Sequence, residues 1–242
     1  MGKQDENMFG SAAWNSFNDN YDAVGIEENF GPELESDSIK TVNTPVNELK
    51  SSSQTLLRLD IDKSGSMSGF TRAMVQALEL VKESIVTSEE ASRIQISKTL
   101  FADTVEPEGY TDVEKFDTSY SAVSGCTKLF DSIIDSERRI KEYRDKLIQK
   151  GVSVQAVLCI LSDGLDNDSV ASLEEAKQSV KNMQDEDVTV CFIAFGSDQC
   201  ENLAHQLGIT NVVRTDATIH DLHKIMKFVS IGTIHKSQGN DR

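Results

Sequence analysis

Basic residues are scarce in this chain of 242 residues: 24 Lys and Arg stand against 40 Asp and Glu, a formal net charge of -16. That balance argues against a grip on nucleic-acid phosphates, which needs clustered Lys and Arg. It argues equally against docking on an anionic membrane surface. Long apolar runs are missing too, since no stretch approaches the roughly 18 residues expected of a membrane span. The opening Met1-Gly2-Lys3-Gln4-Asp5-Glu6 has no apolar core that could serve as a signal peptide. The 4 cysteines (Cys126, Cys159, Cys191 and Cys200) form no CxxC pair. Two of them, Cys159 and Cys191, lie inside apolar runs where a thiol is a small hydrophobe. No disulfide framework is expected, and the chain reads as intracellular and cytoplasmic. Several catalytic signatures are absent as well. There is no GxxxxGK[ST] loop and no HExxH, and Gly65-Ser66-Met67-Ser68-Gly69 has Met in the nucleophile's place of GxSxG.

What is present divides unevenly. Residues 1–50 hold ten acids and three bases, a net -7 that suggests an acidic arm on a more ordinary domain. The arm lacks a sustained core pattern and is expected to be largely disordered. It carries one aromatic stripe, Trp14, Phe17 and Tyr21, which reads equally as a short helix that docks in a groove and as a sticky patch with no dedicated partner. From about residue 55 apolar runs alternate with helix-period segments. Strands are expected at Thr55–Asp62, Ser92–Phe101, Val152–Leu161, Val188–Phe195 and 209–214. Helices are expected at 70–87, Thr127–Lys150, 170–185, 198–207 and 218–230, with room for a short edge strand or two in 103–126. This rhythm predicts an α/β fold: a doubly wound, mainly parallel sheet with helices on both faces and a short antiparallel edge strand. The domain is expected to span 54–231, followed by a flexible tail at 232–242.

Ligands of such sheets bind beyond the carboxyl ends of the strands. There the first strand delivers Asp62-Lys63-Ser64-Gly65-Ser66, Thr127 opens the long helix, and a buried strand delivers Ser162-Asp163-Gly164. Two carboxylates and three hydroxyls make an all-oxygen set suited to Mg²⁺ or a similar hard divalent cation. Gly65 is expected to let the backbone turn tightly between Ser64 and Ser66. Three neutral hydroxyls quench little of a cation's charge, which leaves it electrophilic toward an incoming acid.

Asp62-x-Ser64-x-Ser66, then Thr127, then Asp163 in Ser-Asp-Gly resembles the metal-ion-dependent adhesion site (MIDAS) of the von Willebrand factor type A domain, over roughly residues 54–231. The resemblance is to an intracellular, prokaryotic or phage-like member. It implies that Asp62, Ser64, Ser66, Thr127 and Asp163 hold Mg²⁺, or Mn²⁺ or Ca²⁺, and that an open position accepts an Asp or Glu carboxylate from a partner protein. It also implies no catalysis, and an adaptor role in assemblies such as those of AAA+ ATPases or stress-response complexes. Two departures from the pattern stand out: Lys63 puts a positive charge beside the site, and Cys126 precedes the threonine.

Rival readings use the same residues. Asp60-Ile61-Asp62 after an apolar strand is similar to a haloacid-dehalogenase-type, Mg-dependent phosphatase, with Asp60 and Asp62 on one strand face. An EF-hand beginning at Asp60 is rejected because loop position 12 is Thr71. His220 and His223 read as surface histidines, and Asp166 and Asp168 as solvated loop acids.

Overall fold

The computed structural model describes residues 42–49, 51–195, 198–215, 229 and 232–238. Seven strands form one sheet: β1 (Ser53–Asp62), β2 (Ile94–Phe101), β3 (Val105–Pro107), β4 (Thr111–Asp112), β5 (Ser153–Ser162), β6 (Val188–Phe195) and β7 (Asn211–Thr215). Their order is β3-β2-β1-β5-β6-β7, with β4 also beside β2. The pairings β1–β2, β1–β5, β5–β6 and β6–β7 are parallel, whereas β3 and β4 run antiparallel to β2. The edge therefore holds two short antiparallel pieces. A near-continuous apolar run is what a strand covered on both faces requires, and every residue of β1 is buried.

Among the described residues, four helices connect the strands: α1 (Thr71–Val86), α2 (Leu129–Ile148), α3 (Leu173–Asp185) and α4 (Asp198–Gln206). Side chains alternate across a strand, so β1 has two different faces. Leu56 packs with Leu129, Ile133, Ile140 and Tyr143 of α2 and with Val180 and Met183 of α3. Leu57, Leu59 and Ile61 are buried on the opposite face. There Phe70, at the head of α1, stacks on Phe195 of β6 at 5.8 Å between ring centroids. Helix α3 begins with a capping box in which Ser172 and Glu175 satisfy each other's backbone N–H groups.

The packed body extends beyond both expected limits. Residues 42–49, expected to belong to the arm, lie against the domain. Thr44 N–H donates to Tyr110 O at 2.8 Å, Tyr143 Oη donates to Thr44 O at 3.0 Å, and Val46 and Leu49 pack on the core. At the other end, residues 232–238, expected to belong to the tail, are helical. Thr233 and Ser237 are buried, and Lys236 Nζ reaches Thr189 Oγ1 at 2.7 Å. Both segments are short, and sequence periodicity does not register a single turn that is held by tertiary bonds. Most of the arm, including Trp14, Phe17 and Tyr21, lies outside the described residues. So do His220, His223 and nearly all of the helix expected at 218–230. Among the described residues, no helix is long and apolar enough to cross a membrane.

Candidate metal centre

Five parallel strands end at the same edge of the sheet, and three loops gather there: residues 63–70 after β1, 102–128 before α2 and 163–172 after β5. All five side chains expected as ligands come from these loops or the strand ends that feed them. Asp62, Ser64 and Thr127 are buried, Asp163 is half-buried and Ser66 is exposed. Ser64 Oγ and Ser66 Oγ are 3.2 Å apart, and Ser66 Oγ donates to Asp163 Oδ1 at 2.8 Å. Gly164 links the remaining groups. A Cβ there would stand 3.7 Å from Thr127 Oγ1 and 4.0 Å from Asp62 Oδ2. The threonine hydroxyl and the first aspartate thus lie around the same point beside Gly164.

Asp62 is held from several sides. Its Oδ1 accepts the Ser64 N–H at 2.8 Å and its Oδ2 accepts Ser162 Oγ at 2.6 Å, while Tyr120 Oη donates to its carbonyl at 2.8 Å. Burial pushes the Asp62 carboxyl above the usual carboxylate range, and the neighbouring Asp163 charge adds to this. Asp163 is likewise raised, chiefly by burial. Two carboxylates in a partly dry rim, each accepting a bond from a serine hydroxyl, fit a hard divalent cation.

Thr127 is clamped through its backbone, its N–H donating to Asn167 Oδ1 at 2.7 Å and its carbonyl accepting the Asn167 N–H at 3.1 Å. The same loop caps α2. Lys128, at the helix N-cap, has no side-chain acceptor for the helix amides, so the first free amides turn to distant acceptors. Phe130 N–H donates to Asp166 Oδ1 at 3.1 Å, and Asp131 N–H to Ser169 Oγ at 3.1 Å. Asp166 is therefore not a merely solvated loop acid; it caps a helix. Asp168 pairs with Lys128 at 3.1 Å.

Three sequence expectations need adjusting. Gly65 has no positive φ, and a Cβ on it would meet only ordinary contacts, the nearest at 3.7 Å from Ser124 Cα. The glycine the loop requires is Gly125, with φ of +156° and a would-be Cβ only 2.6 Å from an Asp103 carboxylate oxygen. Lys63 does not offer a free charge to the site, because its Nζ bonds Glu106 Oε2 at 2.6 Å on β3 and holds that carboxyl below its ordinary range. Asp60 is fully buried, its carboxylate bonded by Ser132 and Ser136, and no substrate can reach it as a phosphatase nucleophile. Cys126 is exposed; with Asp103 and Asp168 it forms the one group of three His, Cys, Asp or Glu ligand atoms within 4.8 Å of one another among the described residues. The parts played by Asn167, Tyr120 and Asp103, the bond from Ser162 to Asp62 and the capping by Asp166 were not anticipated. Each acts across loops, so no spacing in the chain announces it.

No family model matches the chain, and no curated protein does. Solved structures do. Proximal thread matrix protein 1 from the mussel byssus is similar at a TM-score of 0.55 and 17% identity, over 74% of this chain and 46% of that one. A further structure of that byssus protein has a zinc-occupied MIDAS motif. The pilus adhesin SpaC from Lactobacillus rhamnosus GG is similar at a TM-score of 0.61 and 10% identity, over 81% and 31% respectively. Manganese-loaded TRAP protein from Plasmodium vivax is similar at 0.51 and 16%, over 73% of each chain. The chain thus corresponds to less than half the length of the byssus and pilus proteins. At these identities the likeness establishes the fold, a von Willebrand factor A-like α/β domain.

Proposed function

We propose that the domain binds a divalent cation through Asp62, Ser64, Ser66, Thr127 and Asp163, and uses it to accept an Asp or Glu carboxylate from a partner protein. One observation carries this reading: five oxygen-bearing side chains from three separate loops converge at the carboxyl edge of the sheet, Ser64, Ser66 and Asp163 in a hydrogen-bonded row and Thr127 and Asp62 both beside Gly164. Bound there, a divalent ion would supply a Lewis-acidic position for an incoming carboxylate. The protein's own residues hold the hydroxyls at short range, orient Asp62 through Ser162 and Tyr120, and keep Lys63 occupied by Glu106. Zinc and manganese in the similar structures support a divalent ion without selecting Mg²⁺ over Mn²⁺ or Ca²⁺.

The rim also describes the partner. Val123 and Leu165 flank the centre and, with Val170, are exposed aliphatic side chains on its loops. Exposed Asp103 repels additional acids. The fitting segment therefore carries a single carboxylate with apolar neighbours. In this reading the domain is a non-catalytic, cytoplasmic adaptor, working in an assembly such as an AAA+ ATPase or stress-response complex.

Manganese titration followed by electron paramagnetic resonance tests the site, with Asp163→Ala expected to weaken binding about tenfold or more. Affinity capture tests the function. A protein retained in Mg²⁺, released by EDTA and missing from the Asp163→Ala bait meets the expectation. The same proteins captured under all three conditions would sink it.

A further inference from the structure

Charges inside a sheet are unfavourable unless fully paired, and β1 buries two below the rim. Arg58 and Asp60 are both fully buried, at alternate positions on the face that α2 covers. Arg58 Nε donates to Ser136 Oγ at 2.7 Å, Nη1 to Ser97 Oγ at 3.0 Å, and Nη2 to Thr99 Oγ1. Asp60 accepts Ser132 Oγ at 3.0 Å and Ser136 Oγ at 2.8 and 2.7 Å to its two oxygens. The guanidinium Nε lies 3.5 Å from Asp60 Oδ1. Ser136 thus accepts from the cation and donates to the anion, one hydroxyl between two charges.

Stability alone does not account for this arrangement. Apolar residues of similar size commonly serve as well as a buried ion pair or better. On β5 the paired positions beside Arg58 and Asp60 are Leu158 and Ile160, equally buried. What directional bonds add is register. Ser132 and Ser136 stand one turn apart on α2, and both reach Asp60 at only one rotation and axial height of the helix. Thr127 precedes Leu129, the first residue of that helix, by two positions, and Asp62 follows Asp60 on the same strand by two. Fixing α2 on β1 fixes Thr127 against Asp62.

We propose that Arg58, Asp60, Ser132 and Ser136 form a register lock that sets the spacing between Thr127 and Asp62 and so tunes cation affinity. They are positioning residues and not ligands, and the proposal rests on the metal-site reading above. The full chain is titrated with Mn²⁺ by electron paramagnetic resonance, and its stability is followed by urea unfolding. The apolar replacement Arg58→Met/Asp60→Leu is expected to remain folded, at a cost set by the hydroxyls it leaves without partners, yet bind Mn²⁺ about tenfold more weakly. Ser132→Ala is expected to weaken binding by about threefold, with no further loss in a Thr127→Ala background, because the lock acts through Thr127. Parental Mn²⁺ affinity in Arg58→Met/Asp60→Leu would overturn the lock. So would losses from Ser132→Ala and Thr127→Ala that simply add. Should the apolar pair fail to fold, the Ser132→Ala cycle decides. Mn²⁺ binding insensitive to Thr127→Ala would remove the metal reading and the lock together; binding sensitive to Thr127 but not to the lock variants removes the lock alone.

Discussion

Arg58 and Leu158 are partners on adjacent parallel strands, as are Asp60 and Ile160, and all four side chains are fully buried. They share a sheet, a face and a covering helix layer, yet one strand carries charges and the other hydrocarbon. The contrast continues outward. Strands β5 and β6 contain no Asp, Glu, Lys or Arg, while β1 and β2 bury Arg58, Asp60, Asp62 and Lys98. Lys98 is held by the carbonyls of Asp117 and Ser119 at 2.8 and 2.7 Å. Apolar contacts supply area and volume but tolerate small slides, whereas hydrogen bonds to buried charges supply direction. The half of the sheet that fixes direction is the half that ends in Asp62.

Substitutions on the two sides should separate these contributions. Asp60→Asn keeps the shape but leaves the Arg58 guanidinium buried without a carboxylate, and should destabilise the fold by about 3–5 kcal/mol in urea unfolding. A loss under about 1 kcal/mol would mean that Asp60 is not what holds the Arg58 charge. On the hydrocarbon side, Leu158→Ala should cost about 3 kcal/mol through the cavity it opens, with Mn²⁺ affinity unaltered. A fall in affinity as large as that of the apolar Arg58→Met/Asp60→Leu pair would erase the distinction between the halves. The smallest effect is expected where the third loop caps α2. Asp166→Ala removes the acceptor of the Phe130 amide and should cost about 1 kcal/mol, with faster hydrogen exchange at that amide as the local signature. Unchanged exchange would show that the cap is dispensable.

Much of this was readable in the chain. The alternation of apolar runs with helix-period segments led to the sheet, and Val188–Phe195 falls where expected. Asp62, Ser64, Ser66, Thr127 and Asp163 stand out because their loops follow strands at one end of the sheet. The polar network beneath them was less legible, although it left a trace. Leu129, Ile133, Ile140, Tyr143 and Leu147 form a buried stripe, and the one missing step of that stripe is Ser136. A serine on a core-facing position is a request for a buried partner, and Arg58 and Asp60 on a strand otherwise fit for the core are the matching request. Asn167, Asp166 and Asp103 left no such trace, because loop-to-loop bonds have neither period nor neighbour in sequence.

The cap on α2 has a consequence for the order of events. Its acceptors Asp166, Asn167 and Ser169 lie 36 to 40 residues beyond the amides they receive. Between them the chain must complete α2, reverse at Gly151 and thread β5 into the centre of the sheet. The helix head stays open until then, and Thr127 has no fixed orientation. The rim accordingly cannot close before β5 lies beside β1, and a chain that has not reached that point offers a cation only part of the site. Binding at this edge would therefore report that β5 has joined β1, coupling the site to the central pairing of the sheet.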